Sequence, residues 1–535
     1  MEIDGIGRRS FLKTMGPAVV KIVCRLSALI VVSSFCWESL SLKPQDSHGS
    51  LGIFKGQSDV GSVTPPGTLA HDSVKDVYTV TAAGANLWST VDGFHFVWKK
   101  VSGDVSLTAD VNFPVISGDP SPHRKAVLMF RQTLDADGVY VDAAQHGSGM
   151  TALQYRGTKG ATTQDIELNI GSPRRLRLEK RGDTITMFLS MGAEPLHQVG
   201  ASIKLHLDEP FYSGIGVCSH NKDVVERATF ANVELKTLAS PAAPVQKVLY
   251  STLQTIGIED NFRRAMMITT DRARLEAPNW SRDGKSLTFN RDGHIWSVPA
   301  EGGKATKINT GAATNCTGSH GLSPDGKWLA ISCSMPAKPE TRVYIVPSSG
   351  GEPRLVTENP SSYFHSWSPD GKTIAFTRPS HGSGNIFSIP VEGGAEKALT
   401  TGSGISDDPD YSADGKYIYF NSDRAGGSME IWRMRADGSE PEQITSDGLN
   451  NWTPHPSPDG KSILILSYGE GVSGHPTNKD VAFRILDVSD GKMRVLVNIV
   501  GGAGSDNVPN WAPDGTHFGF VSFQMLPPDD IGSTE

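Results

Sequence analysis

The sequence predicts an all-β protein in which an N-terminal β-sandwich of jelly-roll type precedes a six-bladed β-propeller. Three observations predict this fold: six similar turns in the C-terminal half, short alternating strands in the N-terminal half, and no sustained helical periodicity. The 535 residues exceed what one hydrophobic core usually holds, so we expect at least two domains. The 57 glycines and 33 prolines suit a turn-rich β protein.

The N-terminus predicts export. Residues 7–13, Gly-Arg-Arg-Ser-Phe-Leu-Lys, resemble a twin-arginine signal, and an apolar run too short to span a bilayer comfortably follows over 26–36. No clean cleavage site follows the run. We assign 1–37 to an export signal or a retained anchor, and expect a periplasmic or secreted protein. Residues 38–65 are polar and are expected to be a flexible lead-in.

Residues 66–236 carry the period-two alternation of half-buried strands. Over 107–113 the apolar residues occupy the odd positions, and Phe94, Phe96 and Trp98 share one face. Polar residues that alternate with apolar ones predict either a concave face suited to sugar rings or an ordinary solvated strand face. These residues are His95, Arg131, His146 and Gln154. The prolines of 237–245 then predict a stiff linker.

The strongest signal is a repeated turn after the linker. Four copies contain Ser-Pro-Asp-Gly or its Ala-Pro variant, and the other two have Arg or Ala in place of Pro. The six turns occupy 281–284, 323–326, 368–371, 412–415, 457–460 and 512–515. Most intervals are 42 to 45 residues and the last is 55. A period of this length with about four strands is typical of one propeller blade. Strands near 248–250 and 265–269 are expected to complete the last blade.

These repeats resemble those of the TolB-like propeller family over 246–535, where such a turn precedes a strand. The resemblance implies the propeller fold. It implies little about activity, because translocation proteins, peptidase accessory domains and polysaccharide lyases share the fold. The runs 94–100, 125–132 and 214–218 resemble concanavalin-like and laminin-G-like sandwich modules, which implies the fold of the N-terminal domain.

Alignment of the blades on the turn serine places several ionisable residues at similar heights near the propeller axis. His320 and His365 stand three residues before their turns, and His455 stands two before its turn. Asp407 and Asp408 occupy the same segment in the fourth repeat, and His475 lies in a longer loop of the fifth. These six residues predict a ligand site. His320, His365 and His455 are also candidate ligands for a divalent metal, whereas the plainest alternative is that each caps a local turn.

Two functions follow from this pattern. The first is a non-catalytic binding or scaffold protein of the cell envelope, monomeric, whose propeller binds a partner protein or glycan and whose sandwich contacts carbohydrate. The alternative is a polysaccharide lyase or hydrolase with a His/Asp site in the channel, with or without a metal. We find no G-x-S-x-G, H-E-x-x-H or Walker A motif, so no cofactor is assigned.

The remaining expectations concern partners and cysteines. The net charge of −8 gives no reason to expect nucleic acid as a partner, and membrane contact is expected only through the N-terminal segment. The five cysteines form no zinc-binding spacing. Buried free thiols and a Cys316–Cys333 disulfide are both compatible with the sequence.

Overall fold

The N-terminal half consists of strands that form because apolar and polar residues alternate. The structure is a computed structural model that describes residues 50–114, 120–168, 171–192, 196–239, 248–258, 264–271, 273–380, 383–402 and 404–526. The first fourteen strands are β1 (Gly56–Val60), β2 (Thr68–Asp72), β3 (Val77–Ala82), β4 (Phe94–Val101), β5 (Val105–Asn112), β6 (Lys125–Arg131), β7 (Tyr140–His146), β8 (Thr151–Arg156), β9 (Gln164–Leu168), β10 (Arg175–Arg181), β11 (Thr184–Ser190), β12 (His197–Lys204), β13 (Phe211–Cys218) and β14 (Glu226–Thr237).

These strands form two antiparallel layers that share one core. The first layer has the order β1-β4-β13-β6-β7-β8-β9, and the second has β12-β11-β10-β5-β14-β3-β2. Leu128 and Ile215 of the first layer and Leu107 and Leu178 of the second belong to the same buried cluster. β1 begins inside the stretch that was expected to be a flexible lead-in. It is ordered because it pairs along its whole length with β4.

Two strands connect this half to the propeller. β15 (Val248–Gly257) pairs antiparallel with β16 (Arg264–Asp271), and β16 pairs parallel with β9. The last strand, β37 (His517–Leu526), pairs with β15. The result is a continuous ten-stranded sheet with β1 at one edge and β37 at the other.

The C-terminal half contains five four-stranded antiparallel blades. They are β17–β20 (Leu275–Trp280, Ser286–Arg291, His294–Pro299, Thr306–Lys307), β21–β24 (Asn315–Leu322, Trp328–Met335, Lys338–Pro347, Arg354–Leu355), β25–β28 (Tyr363–Trp367, Thr373–Ser380, Ser383–Pro390, Lys397–Ala398), β29–β32 (Ser406–Tyr411, Tyr417–Ser422, Glu430–Arg435, Glu442–Gln443) and β33–β36 (Asn450–Pro456, Ser462–Tyr468, Lys479–Asp487, Met493–Gly501). The all-β prediction is confirmed for the described residues, which contain strands and no helix.

The repeated turn fixes each strand pair through the same contacts. In the five turns that begin with serine, the hydroxyl donates to the turn aspartate at 2.6–2.8 Å. It also accepts the amide that begins the next strand, as Ser323 does from Trp328 at 3.0 Å. All six turn glycines have φ of 70° or 71°, a conformation that favours glycine. Turn geometry therefore accounts for the Asp and Gly of all six turns and for the Ser of five.

Four of the turn glycines also lie close to the turn that precedes theirs in the sequence. A methyl group placed on Gly371 would lie 3.7 Å from Cδ of Pro324, and one on Gly415 would lie 3.5 Å from Cδ of Pro369. A methyl group on Gly284, in the first turn, would lie 3.9 Å from Cδ of Pro513 in the last turn. The last turn thus lies next to the first.

Two further findings bear on the cellular setting. Cys316 and Cys333 form a cross-strand disulfide between β21 and β22, which decides between the two readings of these cysteines, and Cys218 is a buried free thiol. A helix with the length and hydropathy of a membrane span is not found among the residues that the structure describes.

Candidate functional site

A β-bulge in the first strand of each blade aims side chains at the propeller axis. The pairing register shifts in β17, β21, β25, β29 and β33, just before the turn in every case. At the bulges of β29 and β33, Asp408 and Thr453 have φ of 50° and 51°. These first strands lie side by side, so the residues that the bulges redirect meet near the axis.

The tightest group in this region joins the third and fourth blades. His365 Nε2 lies 3.4 Å from Asp407 Oδ1, and His365 Nδ1 lies 3.3 Å from Asp408 Oδ1. Thr377 Oγ1 is 3.0 Å from Nε2 and orients the ring. His365 and Asp408 are buried, whereas the Asp407 side chain is 34% exposed. Asp407 is therefore the member through which solvent or a ligand reaches the group.

Burial controls the protonation of this group. It lowers the pKa of His365, which Asp407 opposes and His455 reinforces. It raises the pKa of Asp408 well above the usual carboxyl value, and the charges of Asp407 and Asp506 act in the same direction. The imidazole of His365 is therefore neutral and lies beside the readily protonated carboxyl of Asp408. A cation that entered the group would favour the ionised form of this carboxyl.

A second polar group links the fourth, fifth and last repeats. His455 Nδ1 lies 3.0 Å from Asp410 Oδ2, and Nε2 donates to the Asp506 carbonyl at 2.6 Å. Burial disfavours the charged imidazole, but the hydrogen bond that the imidazole donates to Asp410, together with the charges of Asp410 and Asp506, raises the pKa of His455. Burial also raises the pKa of Asp410, so the imidazole of His455 and the carboxyl of Asp410 share one proton across this contact. Thr453 Oγ1 donates to Asp506 Oδ2 at 2.9 Å, and burial raises the pKa of Asp506 to about 7.

His475 brings the long loop of the fifth blade onto the same group. Its ring stacks on Trp452 at 4.4 Å between centroids, with 17° between planes. The loop is held by hydrogen bonds from Tyr468 Oη to the Pro476 carbonyl and from Asn450 Nδ2 to the Gly474 carbonyl, each 2.6 Å. Burial lowers the pKa of His475 to about 4, Asp407 opposes this shift and His365 reinforces it.

The structure therefore brings five of the six predicted channel residues together. We call the set of His365, Asp407, Asp408, Asp410, Thr453, His455, His475 and Asp506 the channel cluster. His320 is buried in the second blade, where its Nδ1 lies 3.1 Å from the Gly318 carbonyl of its own strand, and burial lowers its pKa to about 4. Within the part of the chain that the structure describes, the hydrogen bond of its side chain is to this carbonyl and not to a member of the channel cluster.

The geometry also revises which residues suit a metal. In the described part of the chain, the group with metal-ligand spacing is His365, Asp407 and Asp408, whose ligand atoms all lie within 4.8 Å of one another. His320 and His455, two of the three imidazoles proposed as ligands, are not members of this group. One imidazole and two carboxylates form a donor set that divalent cations accept.

Arg131 and His95, two of the four residues predicted for the sandwich face, have internal partners. Arg131 Nη1 and Arg156 Nη2 each donate to buried Asp92 at 2.7 Å. His95 Nδ1 lies 2.7 Å from Asp59 Oδ1, in the neighbouring strand. Gln154 and His146 are buried, and His146 lines a cavity. Arg131 and His95 thus stabilise the N-terminal half, and their availability to a sugar stays a prediction.

Sequence reasoning did not select Thr453, Asp410 or Asp506. Asp410 shares the alignment position of His455, two residues before its turn, which is a signal for it. Asp506 follows a glycine-rich stretch in the longest interval between turns. Thr453 occupies the bulge position of Asp408, four residues before its turn, and is recognisable only once the bulge is known.

Fold and site together define a β-propeller protein with a His/Asp cluster between the first strands of neighbouring blades. A family model for the TolB beta propeller domain matches residues 337–526. An uncharacterized protein of Agrobacterium fabrum is 44% identical over 250 residues, covering 46% of this chain and 85% of the relative. The chain belongs to the TolB β-propeller family.

Other relatives are more distant. A Tol-Pal system protein TolB of Francisella tularensis is 26% identical over 216 residues, covering 39% of this chain and 49% of that protein. The chain thus spans about half the length of this TolB protein. A solved structure of a TolB candidate from Agrobacterium tumefaciens has 40% identity and a TM-score of 0.49, covering 52% of this chain and 99% of that one.

Proposed function

We propose that this protein is an exported, non-catalytic binding protein of the cell envelope whose channel cluster receives a side chain of a partner protein. One observation carries the proposal. Within the described residues, three buried polar atoms of the cluster have no hydrogen-bond partner: Asp408 Oδ2, His475 Nε2 and Asp506 Oδ1. Unsatisfied buried polar atoms cost about 1–3 kcal/mol each, so their concentration at one place favours a ligand site.

The chemistry of the cluster favours a cationic or hydrogen-bond-donating group. Asp407, Asp408 and Asp506 offer carboxylate oxygens, and burial keeps the neighbouring His365 and His475 neutral. A Lys or Arg side chain entering past Asp407 would satisfy the open oxygens and be stabilised by them. The name of the Tol-Pal relatives favours an envelope protein as the source of that side chain.

Titration calorimetry with the Pal protein of the same organism tests the proposal. We expect binding that weakens at least tenfold in Asp408→Ala and in His365→Ala. Asp490→Ala is the control, because Asp490 lies in the turn between β35 and β36 and pairs only with Lys492. Absence of binding, or equal affinity in all variants, would contradict the proposal.

We infer that the propeller ring has six units and that the N-terminal layers form a jelly-roll sandwich. The contact between Gly284 and Pro513 supports a closed ring of six turns. In this interpretation β37, β15 and β16 are the sixth unit, closed by strands from both ends of the propeller sequence. The shared core of the two N-terminal layers supports the sandwich, which we propose contacts carbohydrate.

Export is proposed on two grounds. The Cys316–Cys333 disulfide suits an oxidising compartment such as the periplasm. The twin-arginine-like segment within 1–37 lies outside the described residues, as do Cys24 and Cys36. Fractionation of cells carrying Arg8→Lys/Arg9→Lys tests the route, since loss of the exported form is expected.

A second candidate is a metal-assisted polysaccharide lyase or hydrolase. The observation that favours it is the spacing of His365, Asp407 and Asp408. His365 Nδ1 is buried and lies 3.3 Å from Asp408 Oδ1, so both can serve one cation. Metal analysis of the purified protein separates the candidates: stoichiometric metal that is lost in His365→Ala, together with polysaccharide cleavage, would favour the enzyme.

A further inference from the structure

A cavity of about 500 Å³ opens at one end of the two N-terminal layers. Gln145 of β7 and Arg124, just before β6, line it from the first layer. Val111 of β5 and Ala231 of β14 line it from the second. The cavity is thus the open end of the space between the layers, and its volume lies within the range of small-molecule sites.

Arg124 is held rigidly in the wall of this cavity. Its Nη1 donates to buried Glu226 at 2.9 Å, and its guanidinium lies over the Phe113 ring at 4.6 Å from the centroid. The side chain passes directly over Gly147, where a Cβ would lie 2.6 Å from Arg124 Cγ. Its Nε is buried and has no acceptor among the described residues. A fixed donor therefore stands beside the cavity without a partner from the chain.

Gln145 supplies an acceptor to the same cavity. Alternation along β7 points Val141, Ala143 and Gln145 into the space between the layers, and Gln145 is the last of the three. It is 8% exposed, and its Oε1 has no donor in the described structure. A buried amide oxygen without a donor costs free energy that an apolar residue at this position would avoid. A ligand hydroxyl that donates to Gln145 Oε1 would remove this cost, so a hydroxyl is the group that fits the position.

Arg174 adds positive charge at the rim. Its side chain is 61% exposed, and its Nε lies 3.8 Å from Asp110 Oδ2. Asp110 already accepts hydrogen bonds from Arg175 Nη1 and Asn232 Nδ2, each at 2.8 Å. Much of the Asp110 charge is therefore compensated, and Arg174 is suited to an incoming carboxylate.

We propose that this cavity binds a sugar that carries a carboxylate, such as a uronic acid unit of a polysaccharide. A ring hydroxyl donates to Gln145 Oε1, another oxygen accepts from Arg124 Nε, and the carboxylate pairs with Arg174. The proposal rests on the carbohydrate contact proposed above and gives it a place and a chemical class. In this proposal the carbohydrate contact lies at the end of the two layers and not along the strand face that the sequence predicted.

Saturation-transfer NMR on the full chain, with matched monosaccharides, tests this site. D-Glucuronate and D-galacturonate differ from D-glucose and D-galactose only at the carboxylate. We expect the acids to bind at least tenfold more tightly, and added salt to weaken them because Arg174 is exposed. Arg174→Gln should reduce uronate affinity about tenfold, or about 1.4 kcal/mol. Arg181→Gln, on the same strand region but outside the cavity, should leave it unchanged.

The outcomes distinguish this site from the channel cluster. Equal affinity for acidic and neutral sugars, or uronate binding that Arg174→Gln does not change, would overturn the cavity proposal. Gln145→Leu, which keeps the volume and removes the acceptor, gives a second measurement and should also weaken uronate binding. If the His365→Ala variant keeps uronate binding and loses Pal binding, both proposals are supported. If the protein binds uronate but does not bind Pal, only the channel proposal is refuted.

Discussion

His455 Nδ1 lies 3.0 Å from Asp410 Oδ2, and this contact joins the fifth blade to the fourth. Both side chains are buried, and the opposite nitrogen of the imidazole donates to the Asp506 carbonyl. The pair thus connects three successive repeats near the axis. Loss of this pair should therefore lower the stability of the whole propeller.

Replacing His455 with Ala should destabilise the protein by about 3 kcal/mol, because Asp410 would be left buried without its partner. Chemical denaturation with a fluorescence readout measures this loss. Arg435→Ala is the matched control, since Arg435 pairs with Glu440 at the surface and exposed pairs contribute about 0–1 kcal/mol. Equal losses in the two variants would refute the structural role of the buried pair.

Asp506 should make the protein less stable as the pH rises. Its pKa is raised to about 7, so the folded state holds a proton that the unfolded state releases near pH 4. The stabilisation is present below pH 4 and is lost as the pH rises toward 7. Thermal melts of wild type and Asp506→Asn between pH 4 and 8 check the sign: the melting temperature of the variant relative to wild type should increase with pH. A constant difference would exclude this titration.

Reduction of the disulfide should lower stability. Cys316 and Cys333 are 17 residues apart, and closing a loop of that length stabilises a protein by about 3 kcal/mol. Melting curves with and without a reductant measure the effect. In a Cys316→Ala/Cys333→Ala variant the reductant should make no difference, and a remaining shift would show that reduction acts elsewhere.

The turn glycines should differ from other exposed glycines. Gly460→Ala should cost about 1 kcal/mol, because φ is 71° there although a Cβ would meet no atom within 4 Å. Gly469→Ala is the control, with equal space and no positive φ. Comparable melting temperatures for the two variants would show that backbone conformation does not limit these turns.

Much of the propeller could be predicted because its turns are local. Ser, Asp and Gly within four residues make the same hydrogen bonds in the five copies that begin with serine, so the pattern can be recognised without knowledge of distant contacts. The channel residues were found for the same reason, since alignment on the turns fixes their height. His320 departs from the rest because its imidazole contacts the carbonyl of its own strand, a side-chain choice that the alignment does not encode.

The N-terminal face was harder to predict because its contacts are long-range. Asp92 binds Arg131 and Arg156 from 39 and 64 residues away. Alternation predicted that Arg131 leaves the core side of its strand, but not that it is buried against Asp92. A buried ion network and an exposed sugar-binding face have the same alternation pattern.

The parallel pairing of β16 with β9 has a consequence for any attempt to divide the chain. A cut between 240 and 247 would leave each fragment with an uncapped row of backbone amides and carbonyls. Such rows recruit other strands, so separately expressed halves should aggregate or find each other in solution. Mixing the two fragments is therefore expected to restore solubility that neither has by itself.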